Sequence, residues 1–131
     1  MPVPLLEMLA RFIFSRRHLS RSARRVLHGA FMPPRDRRLS VFRISGLTDR
    51  EIWRLGNFAG ELRTKSPLGR ANIRASSVVD QGLGIEADDE LAKHAEIIGW
   101  PDDEMRILEK ATELAAASVL IINVSEVTPR G

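Results

Sequence analysis

The sequence predicts an α+β fold, or a small α/β sandwich, with two main helices packed on a sheet of three to five strands. Three observations carry this. A helix with a complete start signal begins near residue 49. Short apolar, β-branched runs stand at 39–44, 94–98 and 119–124. The length, 131 residues, holds one domain and not two. Hydrophobic residues make up 44% and charged residues 28%, a balance that excludes wholesale disorder and collagen-like repeats. With no cysteine, the chain has no disulfides, thiolate metal centres or cysteine nucleophile. No apolar run approaches the roughly 18 residues of a membrane span.

The elements follow in order. Residues 1–38 read as an Arg-rich N-terminal arm, and 39–131 as a single globular α+β domain. The arm is not a secretory signal, because Glu7 and Arg11 interrupt its apolar stretch. Its composition also suits a transit peptide, and Leu5 to Phe14 suits a short amphipathic surface helix. Pro33 to Arg38 is a polar loop. Leu39 to Ile44 is a strand with apolar residues on both faces, hence central in a sheet. Gly46 ends it. Thr48 caps the next helix, with Glu51 completing a capping box and Leu47 and Ile52 forming a hydrophobic staple. Ile52, Leu55, Ala59 and Leu62 give its stripe. Gly56 and Gly60 lie one turn apart and mark a close packing contact.

Ser66 to Gly69 is a turn. Residues 70–81 read either as a strand followed by a helix or as one helix, with Gly82 placed to end it. Glu86 to Glu90 is an acidic loop. His94 to Ile98 is a short strand, stopped by Gly99-Trp100-Pro101. Asp102, Asp103 and Glu104 suit the first turn of a helix, where its dipole favours anions. Ile107, Leu108, Ala111, Leu114, Ala115 and Ser118 continue that helix on one face. Val119 to Val124 is a buried strand, and the tail after Ser125 is frayed.

Charge is divided unevenly. Residues 1–48 carry ten Arg against Glu7 and Asp36, a charge of +8, while residues 49–131 carry −5. Such asymmetry predicts a polyanion partner or pairing between the halves. Arg16, Arg17, Arg21, Arg24 and Arg25 are the candidate anion-binding set. Guanidinium forks suit phosphate oxygens, and their contacts are salt-dependent and sequence-tolerant. The alternative pairs them with acids such as Asp88, Asp89, Glu90, Asp102 and Asp103.

Specific catalytic motifs are absent: there is no phosphate loop, GxGxxG, HExxH or GxSxG. No pair among His18, His28 and His94 has metal-ligand spacing, so neither a metal nor a cofactor is expected. His94 follows the acidic loop and precedes a strand, which puts a candidate acid/base near Glu96. Arg43 interrupts an apolar strand. It either faces an anion site or pairs with Glu61, Asp80 or Glu96. Arg43, Arg70 and Arg74 would form an anion clamp if they converged on His94. Trp100-Pro101 reads as a core cap.

Four segments carry a resemblance: Leu-Ser-Val-Phe-Arg-Ile-Ser-Gly-Leu at 39–47, Glu-Ile-Trp at 51–53, Gly-Arg-Ala at 69–71 and His-Ala-Glu-Ile-Ile-Gly-Trp-Pro at 94–101. Across roughly half its length the chain resembles a group of small uncharacterised bacterial proteins of no established activity. The resemblance implies a bacterial, cytoplasmic setting and transfers no mechanism.

The leading expectation is a binding or accessory protein that contacts nucleic acid or an acidic protein partner through the Arg-rich arm. The alternative is an enzyme on a phosphate-containing substrate, with His94 as acid/base and the Arg43, Arg70 and Arg74 clamp. A third is a structural subunit of an oligomer, joined through Gly56, Gly60 and the Leu5 to Phe14 stretch.

Overall fold

A computed structural model describes residues 3–88 and 90–124. The chain runs β1 (Met8–Ile13), β2 (Leu19–Ser20), β3 (Arg25–Val26), β4 (Leu39–Arg43), α1 (Asp49–Glu61), β5 (Gly69–Arg74), α2 (Ala75–Asp80), β6 (Gly84–Ala87), β7 (His94–Ile98), α3 (Glu104–Ala117) and β8 (Val119–Ile122). Short 3-10 turns at Arg16–His18 and His28–Phe31 flank the β2–β3 pair. Six strands form one sheet in the order β6-β7-β4-β1-β5-β8, every neighbouring pair antiparallel. β2 and β3 form a separate ribbon. The chain is α+β, but its expected inventory is corrected. Among the described residues there are eight strands rather than three to five, and three helices rather than two.

Most of the surplus lies in residues 1–38. β1 pairs with β4 on one side and β5 on the other, so residue 38 does not divide an arm from a body. Leu9 and Ile13 face one side of the sheet while Ala10 and Phe12 face the other. Arg11, which reads as a polar break, is satisfied inside. Its Nε donates to Ala30 O at 2.9 Å and its guanidinium to Ser40 O at 2.9 Å. The pairing of β1 with β4 covers only Leu9 and Ala10, and Arg11 fills the seam beyond it. Burial first, then the charge of Arg63, push the Arg11 pKa down to about 10, so it stays charged at neutral pH.

The other overlooked strand is β6. It overlaps the start of what reads as an acidic loop, at Glu86 and Ala87, because an edge strand tolerates charge. The stretch 70–81 resolves into β5 followed by α2.

Helices cover both faces. α2 and α3 place Ala75, Val78, Ile107, Ala111 and Leu114 against Leu9, Val41, Ile73 and Ile97. Phe31 and Trp100 complete this core, and the Trp100 indole N–H donates to Ile97 O at 3.1 Å. On the opposite face α1 lays Ile52 against Phe12, Phe42 and Ile44. Its capping box forms, with Thr48 and Glu51 bonding reciprocally. Gly56 admits the Phe12 ring, where a Cβ would stand 2.7 Å from Cε1. A Cβ at Gly60 would stand 2.0 Å from Lys65 O, so only glycine fits.

No helix among the described residues is long and apolar enough to cross a membrane. The tail after Ser125, expected to be frayed, lies outside the described residues.

Candidate functional site

Two arrangements of polar side chains stand out, one on each hairpin of the molecule. The first is the β2–β3 ribbon. Leu19 and Val26 are buried in the α3-side core and pair directly across the ribbon, which anchors it. Leu27 N–H donates to His18 O at 2.9 Å and extends the ladder. The tip between Ser20 and Arg25 is polar. Arg24 closes it in the left-handed region, with φ 52°. Arg16, Arg17, Arg21, Arg24 and Arg25 are all exposed. None of them forms an ion pair among the described residues. The expected alternative, neutralisation by the acidic half, is therefore not formed there by any of the described acids. A groove of about 490 Å³ runs beside the ribbon, lined by Arg24, Arg25, His28, Ser118 and Val119 among others. His18 stacks close beneath Gly29. Burial first, then Arg11 and His28, hold its pKa below the ordinary value.

The second arrangement lies at β4, β7 and the loop before β7. Ser40 Oγ stands 2.6 Å from His94 Nε2, and His94 Nδ1 stands 2.9 Å from Asp88 Oδ2. Asp88 Oδ1 accepts the backbone N–H of Glu90 at 2.8 Å and of Leu91 at 3.3 Å. The Glu90 N–H first, then the His94 bond, hold the Asp88 carboxyl below its ordinary range. An ionised Asp88 accepts a hydrogen bond from Nδ1–H and so holds that proton on the ring. Nε2 is then left as an acceptor for the Ser40 hydroxyl. The His94 ring meets the Phe42 ring edge-on, centroids 5.3 Å apart.

Register explains the convergence. Ser40 lies opposite Glu96 and Phe42 opposite His94, so Ser40 and His94 are diagonal neighbours on one sheet face. Glu96 accepts from Arg38 Nε at 2.8 Å, and Arg38 also bonds Glu86. Glu86 and Glu96 are themselves directly opposed across β6 and β7. Arg38 thus joins two like charges.

The expected clamp is not assembled. Arg43 pairs with Glu7 at 3.0 Å, not with Glu61, Asp80 or Glu96. Alternation turns it to the opposite face from Phe42 and His94. Arg70 and Arg74 stand on β5, three strand spacings or about 14 Å from β7. Arg74 donates to Leu6 O at 2.8 Å. Arg70 is 3% exposed, pairs with Asp49 at 3.0 Å and lies 4.6 Å over the Trp53 ring. Its second terminal nitrogen has no hydrogen-bond partner.

The sequence singles out His94 but gives no reason to connect it with Ser40, and it names Asp88 only as a loop acid. The available signal was Ser40 itself, a small polar residue alternating within an apolar strand. No family model, curated protein or solved structure matches the chain.

Proposed function

We propose that the chain binds nucleic acid through its phosphate backbone, with the β2–β3 ribbon as the contact surface. One observation carries this reading: five exposed arginines, Arg16, Arg17, Arg21, Arg24 and Arg25, have no carboxylate partner among the described residues. No acid stands between Met8 and Arg35 to neutralise them. Crowded guanidiniums repel one another, and a polyanion removes that repulsion. Their density suits repeated phosphates better than the scattered carboxylates of an acidic protein surface. The serines nearby play a different part. Ser15 and Ser20 accept the backbone N–H of Arg17 and Ala23, so they hold the loop while the arginines face outward. Binding of this kind positions the protein on a strand without reading its bases.

The test is a fluorescence-polarisation titration with single-stranded and duplex DNA and RNA. If all five arginines meet phosphates, affinity for duplex DNA falls roughly 500-fold between about 50 and 200 mM salt. Reversing Arg21, Arg24 and Arg25 to Glu removes most of the binding. Point substitutions are required here, since truncation at residue 38 deletes a central strand. Absence of binding at about 50 mM salt, or a triple reversal without effect, overturns the reading. Binding to polyglutamate but not to nucleic acid assigns the surface to an acidic protein instead.

A further inference from the structure

We propose that Ser40, His94 and Asp88 form a nucleophilic site that cleaves carboxylic esters. The hydroxyl, the imidazole and the carboxylate form one continuous chain, with gaps of 2.6 Å and 2.9 Å. This is the order of roles that acyl transfer needs: a nucleophile, a base in contact with it, and an acid residue that fixes the base's tautomer. Each member is held separately. Ser40 is fixed by the β4–β7 ladder, His94 by the same ladder and by the Phe42 ring, and Asp88 by two backbone N–H groups. The imidazole is therefore oriented before any substrate arrives.

The placement suits an uncharged ester. α1 covers the β1 side of this face, and Ser40, His94 and Asp88 all keep partial exposure beyond it. Phe42 and Leu91 supply an apolar border for the acyl group. The nearby carboxylates Glu86 and Glu96 disfavour an anionic substrate, which is why an ester is the better fit than a phosphate. Arg38, two residues from Ser40, is already paired with Glu86 and Glu96 and partly neutralises them.

The chemistry balances with water alone. The Ser40 proton passes to His94 Nε2 as Oγ bonds the carbonyl carbon. Collapse of the tetrahedral intermediate breaks the bond to the leaving oxygen, which takes the proton from Nε2 and departs as the alcohol. Water then gives a proton to Nε2 and its oxygen to the acyl carbon. The Ser40–acyl bond breaks, the carboxylic acid departs, and Oγ recovers its proton.

The experiment uses the full chain and a fluorophosphonate probe, which loses fluoride as Oγ bonds phosphorus. Mass spectrometry of the digested protein reads the adduct, and p-nitrophenyl acetate reads turnover. The expected result is one adduct, on Ser40, and none in Ser40→Ala. Asp88→Asn retains the side-chain oxygen that caps Glu90 and Leu91, and circular dichroism verifies its fold. It lowers the labelling rate by about 10²–10⁴-fold, because the tautomer is lost. His94→Gln lowers it by a comparable factor. Absence of a Ser40 adduct, or labelling at the parent rate in both variants, overturns the proposal and leaves His94 as a strut between loop and sheet. Nucleic-acid binding is measured on the same variants, and its loss or retention bears on the ribbon alone.

Discussion

The β2–β3 and β6–β7 hairpins share a construction and differ in how their charges are treated. Both are antiparallel, and both place buried apolar residues into the α3-side core: Leu19 and Val26 in one, Ala95 and Ile97 in the other. In β6–β7 and its loop, Glu86, Asp88, His94 and Glu96 all have side-chain partners. In β2–β3 the arginines have none among the described residues. Exposure is common to both regions and does not separate them. Pairing does. A paired charge holds another group in place, as Asp88 holds His94. An unpaired charge is left for something outside the chain.

That contrast can be broken or sharpened by measurement. The largest effect on stability is expected at Arg11, which ties Ala30 at the root of the first hairpin to Ser40 beside the second. Arg11→Ala leaves two carbonyls without their donor and opens space in the sheet. It should lower the unfolding free energy by about 2–3 kcal/mol in a urea titration. A loss much smaller than this would mean the hairpins are fixed independently.

Next comes Arg38. Its removal leaves Glu86 and Glu96 facing each other across adjacent strands, a destabilising arrangement. Arg38→Ala should lower the thermal midpoint, and adding Glu86→Gln should recover part of the loss. Recovery is the informative outcome, since it isolates repulsion from lost packing.

A smaller effect follows from Asp88. Its folded pKa lies below the ordinary 3.8, so the folded state binds the proton less readily than the unfolded chain. The stabilisation is complete above that ordinary value and is lost as pH falls through it toward the folded pKa. Acid titration of the unfolding midpoint should therefore be flatter in Asp88→Asn than in the parent.

The smallest effects on stability belong to the ribbon. Each single Arg→Ala at 16, 17, 21, 24 or 25 should stay within about 0.5 kcal/mol of the parent. Each should still reduce the salt dependence of nucleic-acid binding by about one unit of slope. A stability loss comparable to that of Arg11→Ala would erase the distinction between the two hairpins.

Local signals and long-range pairing divide what could be read from the residues. The α1 start was legible because the side chains and backbone of Thr48 and Glu51, three residues apart, bond reciprocally. β4 and β7 were legible as apolar runs; so was β8, but it is an edge strand with Val119 exposed and not the buried strand expected. β1 was not legible, since Arg11 interrupts its apolar stretch, and only the fold reveals that Ala30 and Ser40 carbonyls receive it. β2 and β3 are two residues each, too short for a periodic pattern. His94 was legible by its position between loop and strand. Its link to Ser40 depends on the β4–β7 register, and the partner of Arg43 depends on β1 being in the sheet. Neither relation has a local trace.

The position of β1 has a consequence for how the chain folds during synthesis. It emerges before both strands that flank it, and its second partner, β5, is complete only at Arg74. At roughly 5–20 residues per second, the interval from Ile13 to Arg74 is about 3–12 s. Through that interval the apolar stretch Met8–Ile13 has at most one edge paired, and the sheet cannot close around it. Contacts of such long sequence separation slow folding in general. The nascent protein is therefore most vulnerable to misassociation in its first strand, and a holding chaperone would be expected to engage that strand before β5 is made.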